Sequence, residues 1–281
     1  MTDQQNDKAS DFRRLHAVDG IFIVPNPWDV GSARILAAMG FKALATTSAG
    51  MAFAHGRREG APPRDLVLAH CREIVNATPL PVSADLENGF GHDPDSAAHT
   101  IRAAAETGLA GCSLEDHTGD PNNPIYEFSL AVERVAAAAE VAKSLPQDMV
   151  FTARCENYLW QRPDLDETIE RLQAYEAAGA DVLYAPGLRD IETIRTVCQS
   201  LSKPVNVIMG AKGVGLSVAD LSAVGVRRIS LGSAFARRAY GAFIDAAREV
   251  AETGHFEETG QAMSFDDIER WLPGGDVSEG S

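Results

Sequence analysis

Residues 176–187 read EAAGADVLYAPG, and the fold follows from this stretch. An alanine-rich helix stops at Gly179, the residue type that most easily takes the left-handed conformation after a helix end. A short apolar run, Asp181–Tyr184, follows at once and closes on Ala-Pro-Gly. The same helix–glycine–strand unit recurs upstream as ETGLAGCSLED (106–116) and AAMGFKALATTSAG (37–50). Along the whole chain the strand-like runs are Ile21–Pro25, Ala43–Thr47, Pro81–Ala84, Gly111–Leu114, Met149–Ala153, Asp181–Tyr184, Pro204–Ile208 and Arg228–Leu231. Most do not alternate, as expected for parallel strands covered on both faces.

Helical stretches fill the gaps: Trp28–Met39, Arg64–Ala77, Asp95–Thr107, Ser129–Leu145, Asp164–Ala178, Asp190–Leu201 and Ser217–Val224. Strand and helix alternate with no linker between halves. This predicts an α/β protein, one (β/α)8 TIM barrel with a C-terminal helical extension, rather than two Rossmann domains. The first strand also lacks GxGxxG. The barrel is expected over 1–254. Residues 1–9 read as a disordered lead and Asp11–Val18 as a short helix beneath the barrel. Residues 255–281 read as a C-terminal helix, Phe265–Trp271, and a polar tail. Phe265, Ile268 and Trp271 share one face, which caps the barrel in a monomer or packs on a neighbour in an oligomer.

The 281 residues are 45% apolar, enough for a full core, and carry a formal net charge of −15. Such a chain repels phosphate backbones and anionic membranes, so nucleic acid and membrane are excluded as partners. It also repels an acidic substrate at long range, so any acid it binds requires local positive charge from a metal or an arginine. Cys71, Cys112, Cys155 and Cys198 form no CxxC pair and read as reduced thiols. The polar start MTDQQNDKAS lacks an apolar signal core, and no apolar run approaches the ~20 residues of a membrane span. The expected location is the cytoplasm.

In such a barrel the chemistry sits where strands end. The third strand ends VSADLENGFG (82–91), placing Asp85 and Glu87 two apart and so on the same side of an extended strand. The fourth ends CSLEDH (112–117), with Glu115 at its close and Asp116 on the opposite side. Three converging carboxylates require a cation, and hard oxygen ligands favour Mg²⁺ or Mn²⁺ over zinc. A solvated acidic rim, or helix caps, is the competing reading. The fifth ends FTARCENYL (151–159), with Arg154 and Glu156 again two apart. Arg154 is suited to fork onto a substrate carboxylate, or to fix the rim acids through a salt bridge, and both can hold at once. The second ends LATTSAGMAFAHGRREG (44–60), whose Thr-Ser-Ala-Gly turn can cradle an oxyanion or is simply a tight loop. That loop and TGDPNNPIYEFS (118–129) are long enough to act as lids. His55 and His117 lie near the mouth; the other histidines read as surface or packing residues.

NPWDVGSARILAAMGFKALATTSAG (26–50), SADLENGFG, SLEDH and ARCENYL together resemble the isocitrate lyase/phosphoenolpyruvate mutase superfamily, in order from about residue 12 to about 250. The nearest branch is the small single-barrel one. The resemblance implies a Mg²⁺-bound small 2-oxo acid or enolpyruvate. It assigns Asp85, Glu87 and Glu115 to the metal site, with Glu59 of GRREG matching an acid that is usually aspartate. Ser48, Ala49 and Gly50 match the turn that binds an anionic end of the substrate. Arg154 matches the substrate arginine, and Trp28 a pocket residue. It also suggests a homotetramer with exchanged C-terminal helices, for which Ser233–Thr253 is long and apolar enough.

This sequence departs from the pattern after the fourth strand. The lyases' Lys-Lys/Arg-Cys-Gly-His segment is replaced by EDHTGDPNNPIYEFS (115–129), with Asn122 and Asn123 in the lid loop. The expected catalytic set is Arg154, Glu156 and Glu115; Asn122 joins Trp28, Ser48, Ala49 and Gly50 at the substrate. The expected function is Mg²⁺-dependent carbon–carbon cleavage or decarboxylation of a small 2-oxo or 2-hydroxy acid through a stabilised enolpyruvate. Phosphonomutase or phosphonopyruvate hydrolase chemistry ranks second. A non-catalytic 2-oxo-acid-binding barrel is the reading of another class. A sugar- or nucleotide-phosphate site on MGAKGVG (209–215) and LGSAFA (231–236) ranks last.

Overall fold

The computed structural model describes residues 3–273. Its eight strands are β1 (Phe22–Val24), β2 (Leu44–Ala45), β3 (Val82–Asp85), β4 (Gly111–Glu115), β5 (Val150–Arg154), β6 (Val182–Tyr184), β7 (Val205–Ile208) and β8 (Arg228–Ser230). Every one falls within or one residue from a run read from the sequence. All pairs are parallel, in the order β1-β8-β7-β6-β5-β4-β3-β2. The circle is closed between β1 and β2 by sparser bonds. Ala45 N–H donates to the Pro25 carbonyl at 3.1 Å, and the buried Asn26 amide donates to the Thr46 carbonyl while its oxygen accepts from Leu231 N–H. The chain is therefore a (β/α)8 TIM barrel.

The helices are α1 (Asp3–Ala17), α2 (Val30–Ala38), α3 (Ser48–Ala54), α4 (Arg64–Ala77), α5 (Pro94–Ala105), α6 (Phe128–Ser144), α7 (Leu165–Ala178), α8 (Ile191–Gln199), α9 (Val218–Ala223), α10 (Ala234–Thr253) and α11 (Phe265–Glu269). Their starts are set by side-chain caps: Asp29, Asp93, Asp164, Asp190 and Ser217 each accept an N–H of the first turn. Gly179 ends α7 at φ 110°, a conformation that costs glycine least. The main core lies between strands and helices and includes Leu44, Ile74, Leu86, Ile101, Phe151 and Tyr175, all fully buried.

The N-terminus differs from expectation. Helix α1 begins at Asp3, inside the stretch read as a disordered lead. Tertiary contacts override its polar composition: Lys8 donates to the Val75 and Thr78 carbonyls at the end of α4, and Ala9 and Phe12 are fully buried. Phe12 plugs the floor of the barrel with Val24, Ala43, Ala110, Val150 and Val182.

The other end differs too. Of the 20 residues of α10 only Ala236 is buried, and Phe243 is 67% exposed. Helix α11 is shorter than read, and Phe265 on it is 84% exposed, so that face does not cap the barrel. The polar tail beyond residue 273 lies outside the described residues. No helix among the described residues is long and apolar enough to cross a membrane.

Candidate active site

The strand register sets the site. Asp85 stands beside Ser113, Glu115 beside Arg154 and Arg154 beside Tyr184. Arg154 occupies the middle. Its Nη1 donates to Asp85 at 2.9 Å, its Nη2 reaches Glu115 at 2.9 Å and Glu156 at 2.8 Å, and its Nε donates to Glu156 at 2.9 Å. Tyr184 stacks its ring 5.3 Å from the guanidinium carbon. One arginine therefore meets three carboxylates from three consecutive βα ends. Burial pushes the Glu156 carboxyl up, and the Arg154 charge opposes that shift.

Thr-Ser-Ala-Gly is not a loop. Thr47 caps α3 by accepting from Gly50 N–H, so Ser48, Ala49 and Gly50 form the first turn of a helix that the sequence reading missed. No apolar periodicity marks a seven-residue helix of Ser, Ala, Gly, Met and Phe. A β-carbon on Gly50 would meet Thr47 Cγ2 at 2.6 Å and Trp28 Cβ at 2.9 Å, so only glycine lets this turn close on Trp28. Ser48 Oγ lies 2.8 Å from Asp85 Oδ2 and 3.1 Å from Glu59 Oε1. A hydroxyl carries one proton, so Ser48 cannot donate to both acids at once. Burial, then the Asp85 charge, raises the Glu59 carboxyl.

Glu87 reaches the cluster by another route than the one read from spacing. Strand β3 ends at Asp85, and Glu87 has φ 49°. The two side chains do not share a face of an extended strand. Instead Asp85 Oδ1 accepts Glu87 N–H at 3.2 Å, and the Glu87 carboxyl lies beside Gly60, next to Glu59. Burial, then Asp85 and Glu115, pushes it up to about 8. Its Oε1 is buried and has no hydrogen-bond partner.

Asp85 and Glu59 open onto a cavity of about 250 Å³ that Ser48, Ala49, Arg154 and Arg228 also line, whereas Glu87, Glu115 and Glu156 stand outside its lining. Trp28 and Gly50 stand behind that lining rather than on it. Asn122 lies on an exposed loop and donates to Asp120, away from the cavity. Among the described residues no three His, Cys, Asp or Glu side chains are grouped so as to hold a metal ion directly. The donor set is still all oxygen, and the orphaned Glu87 Oε1 is an acceptor without a donor. Both suit a hard cation that keeps several of its waters, as Mg²⁺ does.

A match to the family model described as phosphoenolpyruvate phosphomutase runs over residues 12–251. The chain belongs to the phosphoenolpyruvate phosphomutase family. It is thus an enzyme of the isocitrate lyase/phosphoenolpyruvate mutase superfamily, a carbon–carbon lyase or a mutase. A solved structure from Burkholderia cenocepacia J2315, assigned without further detail as a lyase/mutase, is 53% identical over 96% of this chain and 97% of that one, with TM-score 0.92. The solved 2,3-dimethylmalate lyase is 26% identical over 96% and 95% of the two chains, with TM-score 0.82. The oxaloacetate decarboxylase of Chromohalobacter salexigens is 28% identical over 88% of this chain and 87% of its own. The superfamily's lyases and mutases act on small acids.

Within the family barrel, several residues carry more weight than spacing suggested. His117 stacks on Trp160 at 3.9 Å with planes 12° apart, and its Nδ1 lies 3.6 Å from Glu115. Asp116 faces away from the cavity, as read, and is fully buried. It accepts from Tyr175 Oη at 2.6 Å and from Glu156 N–H at 2.8 Å, with Arg171 at 3.5 Å. It thereby fixes the backbone that carries Glu156. Asn206, Ser230 and Arg228 line the barrel interior; polar residues inside otherwise apolar strand runs were the available signal.

Proposed function

We infer that the protein is a lyase that cleaves or decarboxylates a small 2-oxo or 2-hydroxy acid with the help of Mg²⁺. The observation that carries this reading is Arg154, held by Asp85, Glu115 and Glu156 at the edge of a cavity of about 250 Å³. That space suits a molecule of a few carbons, and Arg154 is the cation at the mouth of a chain of charge −15.

Asp85, Glu87, Glu115 and Glu59 would hold the metal, some of them through water; Mn²⁺ satisfies the same oxygen donors. When bound, such an ion supplies Lewis-acid stabilisation of the charge that develops on the 2-oxo oxygen. Arg154 has four of its five N–H donors engaged by Asp85, Glu115 and Glu156, and it presents a fork to a substrate carboxylate when Asp85 turns from it to the metal. The N–H and hydroxyl of Ser48 both donate to Asp85 and reach the other anionic end, beside Ala49, when Asp85 turns to the metal. Glu115 and Glu156 keep Arg154 aimed, and Glu59 holds or releases a proton at Ser48 Oγ. The loop from His117 to Ser129, tied back by the His117–Ile125 bridge, excludes water from the mouth, and Asn122 on it comes near the substrate only if that loop closes.

The absent lid cysteine favours decarboxylation or a related cleavage over the methylisocitrate-type reaction. The buried Cys112 and Cys155 thiols are pushed up by burial and face no cavity. The chain works as a tetramer that exchanges α10 and the segment after residue 254, which would cover Phe243, Ile244, Phe256 and Phe265. Four unpaired cysteines suit a cytoplasmic location.

The test is pyruvate release, coupled to lactate dehydrogenase, with and without Mg²⁺, on oxaloacetate, phosphonopyruvate, methylisocitrate and 2,3-dimethylmalate. Metal-dependent pyruvate from one carbon acid identifies the leaving group. Pyruvate from phosphonopyruvate alone would replace this reading with carbon–phosphorus hydrolysis, and silence across the panel would overturn it.

A further inference from the structure

A second arginine lies inside the barrel, in surroundings opposite to those of Arg154. Arg228 opens β8 at the floor and is 5% exposed. Its three hydrogen bonds go to neutral acceptors: Asn206 Oδ1 at 2.8 Å, Thr152 Oγ1 at 3.0 Å and His16 Nε2 at 3.3 Å. The histidine is an acceptor by geometry. His16 Nδ1 lies 2.8 Å from the Phe12 carbonyl, a bond only an N–H can make, so Nε2 carries the lone pair in the neutral ring. Burial, then the Arg228 charge, presses His16 down to about 3, which keeps it neutral.

Among the described residues no carboxylate pairs with Arg228, whereas Arg13, Arg154 and Arg171 each have at least two acidic partners. A buried charge without a counter-charge is costly. Burial accordingly lowers this guanidinium to about 10. A guanidinium has five N–H donors, and with three engaged one remains on each terminal nitrogen. That pair is the fork that grips an oxyanion. Arg228 also lines the same cavity that opens at Asp85 and Arg154, and the wall includes Thr46, Ser83, Ser113, Asn206 and Ser230 among apolar residues such as Val24, Ala45 and Ile208. TIM barrels usually fill this space with branched aliphatic layers. Here hydroxyl and amide side chains interrupt those layers, and a cation stands at the base.

We propose that the barrel floor around Arg228 is an anion-binding site that takes a small singly charged anion, a carboxylate or an ion of similar size. Asn206 and Thr152 fix the guanidinium from the strands, and His16 fixes it from α1. The N-terminal helix is then part of a binding site as well as a plug. The proposal does not depend on which bond breaks at the mouth.

Bromide is the probe. Crystals of the full chain soaked in sodium bromide should show an anomalous peak in contact with Arg228 Nη1 and Nη2, lost in Arg228→Gln. In solution, chloride or formate should raise the melting temperature of the wild type relative to gluconate at equal ionic strength. Adding oxalate with Mg²⁺ separates the sources. Bromide retained beneath bound oxalate makes the floor a site for a free anion, and bromide displaced makes it the seat of the acid's own carboxylate. If Arg228→Gln does not fold, the wild-type anomalous map decides alone. Bromide confined to the surface, an adventitious ion only, would overturn the proposal, as would water at Arg228 and no difference between chloride and gluconate.

Discussion

Arg154 Nη1 lies 2.9 Å from Asp85 Oδ1, so the residue proposed to grip the substrate and the residue proposed to hold the metal are partners of one another. Both side chains are largely buried, at 12% and 19% exposure. The pair is therefore screened little by salt, and its loss leaves Asp85, Glu115 and Glu156 without a cation. Arg154→Gln should destabilise the metal-free protein by about 3–5 kcal/mol, read by urea denaturation. Arg154→Lys keeps the charge and loses the fork. It should fold and bind oxalate at least tenfold more weakly, about 1.4 kcal/mol. Unchanged oxalate affinity would remove Arg154 from the substrate site.

Asp85→Ala removes an acid on which Ser48, Glu87 N–H and Arg154 all converge. The barrel core does not pass through it, so circular dichroism should show an intact fold. Activity that depends on Mg²⁺ should disappear. Full activity in that variant would sink the proposed metal site.

Glu87 predicts a pH dependence. Burial and neighbouring acids raise its carboxyl to about 8 in the folded chain, above the ~4.3 of an unfolded glutamate. The folded state therefore binds this proton more tightly. Glu87 costs nothing below the unfolded value, and its cost grows as pH rises toward 8, where the folded protein must ionise it. Metal-free protein should lose stability between about pH 5 and 8. Glu87→Gln should flatten that slope, and saturating Mg²⁺ should do the same in the wild type. Equal slopes in wild type and variant would show that Glu87 ionises normally.

Asp116 tests the support behind the site. Tyr175→Phe deletes the 2.6 Å hydrogen bond to its buried carboxyl and should cost about 1–3 kcal/mol. Because Asp116 also holds Glu156 N–H, the variant should raise KM for the acid substrate as well as lower the melting temperature. A stability loss with unchanged KM would confine Asp116 to packing.

The sequence by itself determined the barrel. Periods of helix and strand, glycine stops and acidic caps are local signals, and each acts within a few residues. They located all eight strands and placed Asp85, Glu115 and Arg154 at strand ends. Local signals failed where long-range contact decides the conformation. Polar residues 3–10 became helix because Lys8 docks on the end of α4 and Ala9 packs into the barrel floor. Ser48–Ala54 became helix through a cap and a glycine pressed on Trp28. Glu87 entered the cluster only by leaving the strand at positive φ. The tertiary structure alone decided which charges meet. Arg154 and Arg228 look alike in sequence, each at one end of an apolar strand run. Strand register and barrel closure brought three carboxylates to the first and only neutral partners to the second, because side chains from strands far apart in sequence share the barrel axis.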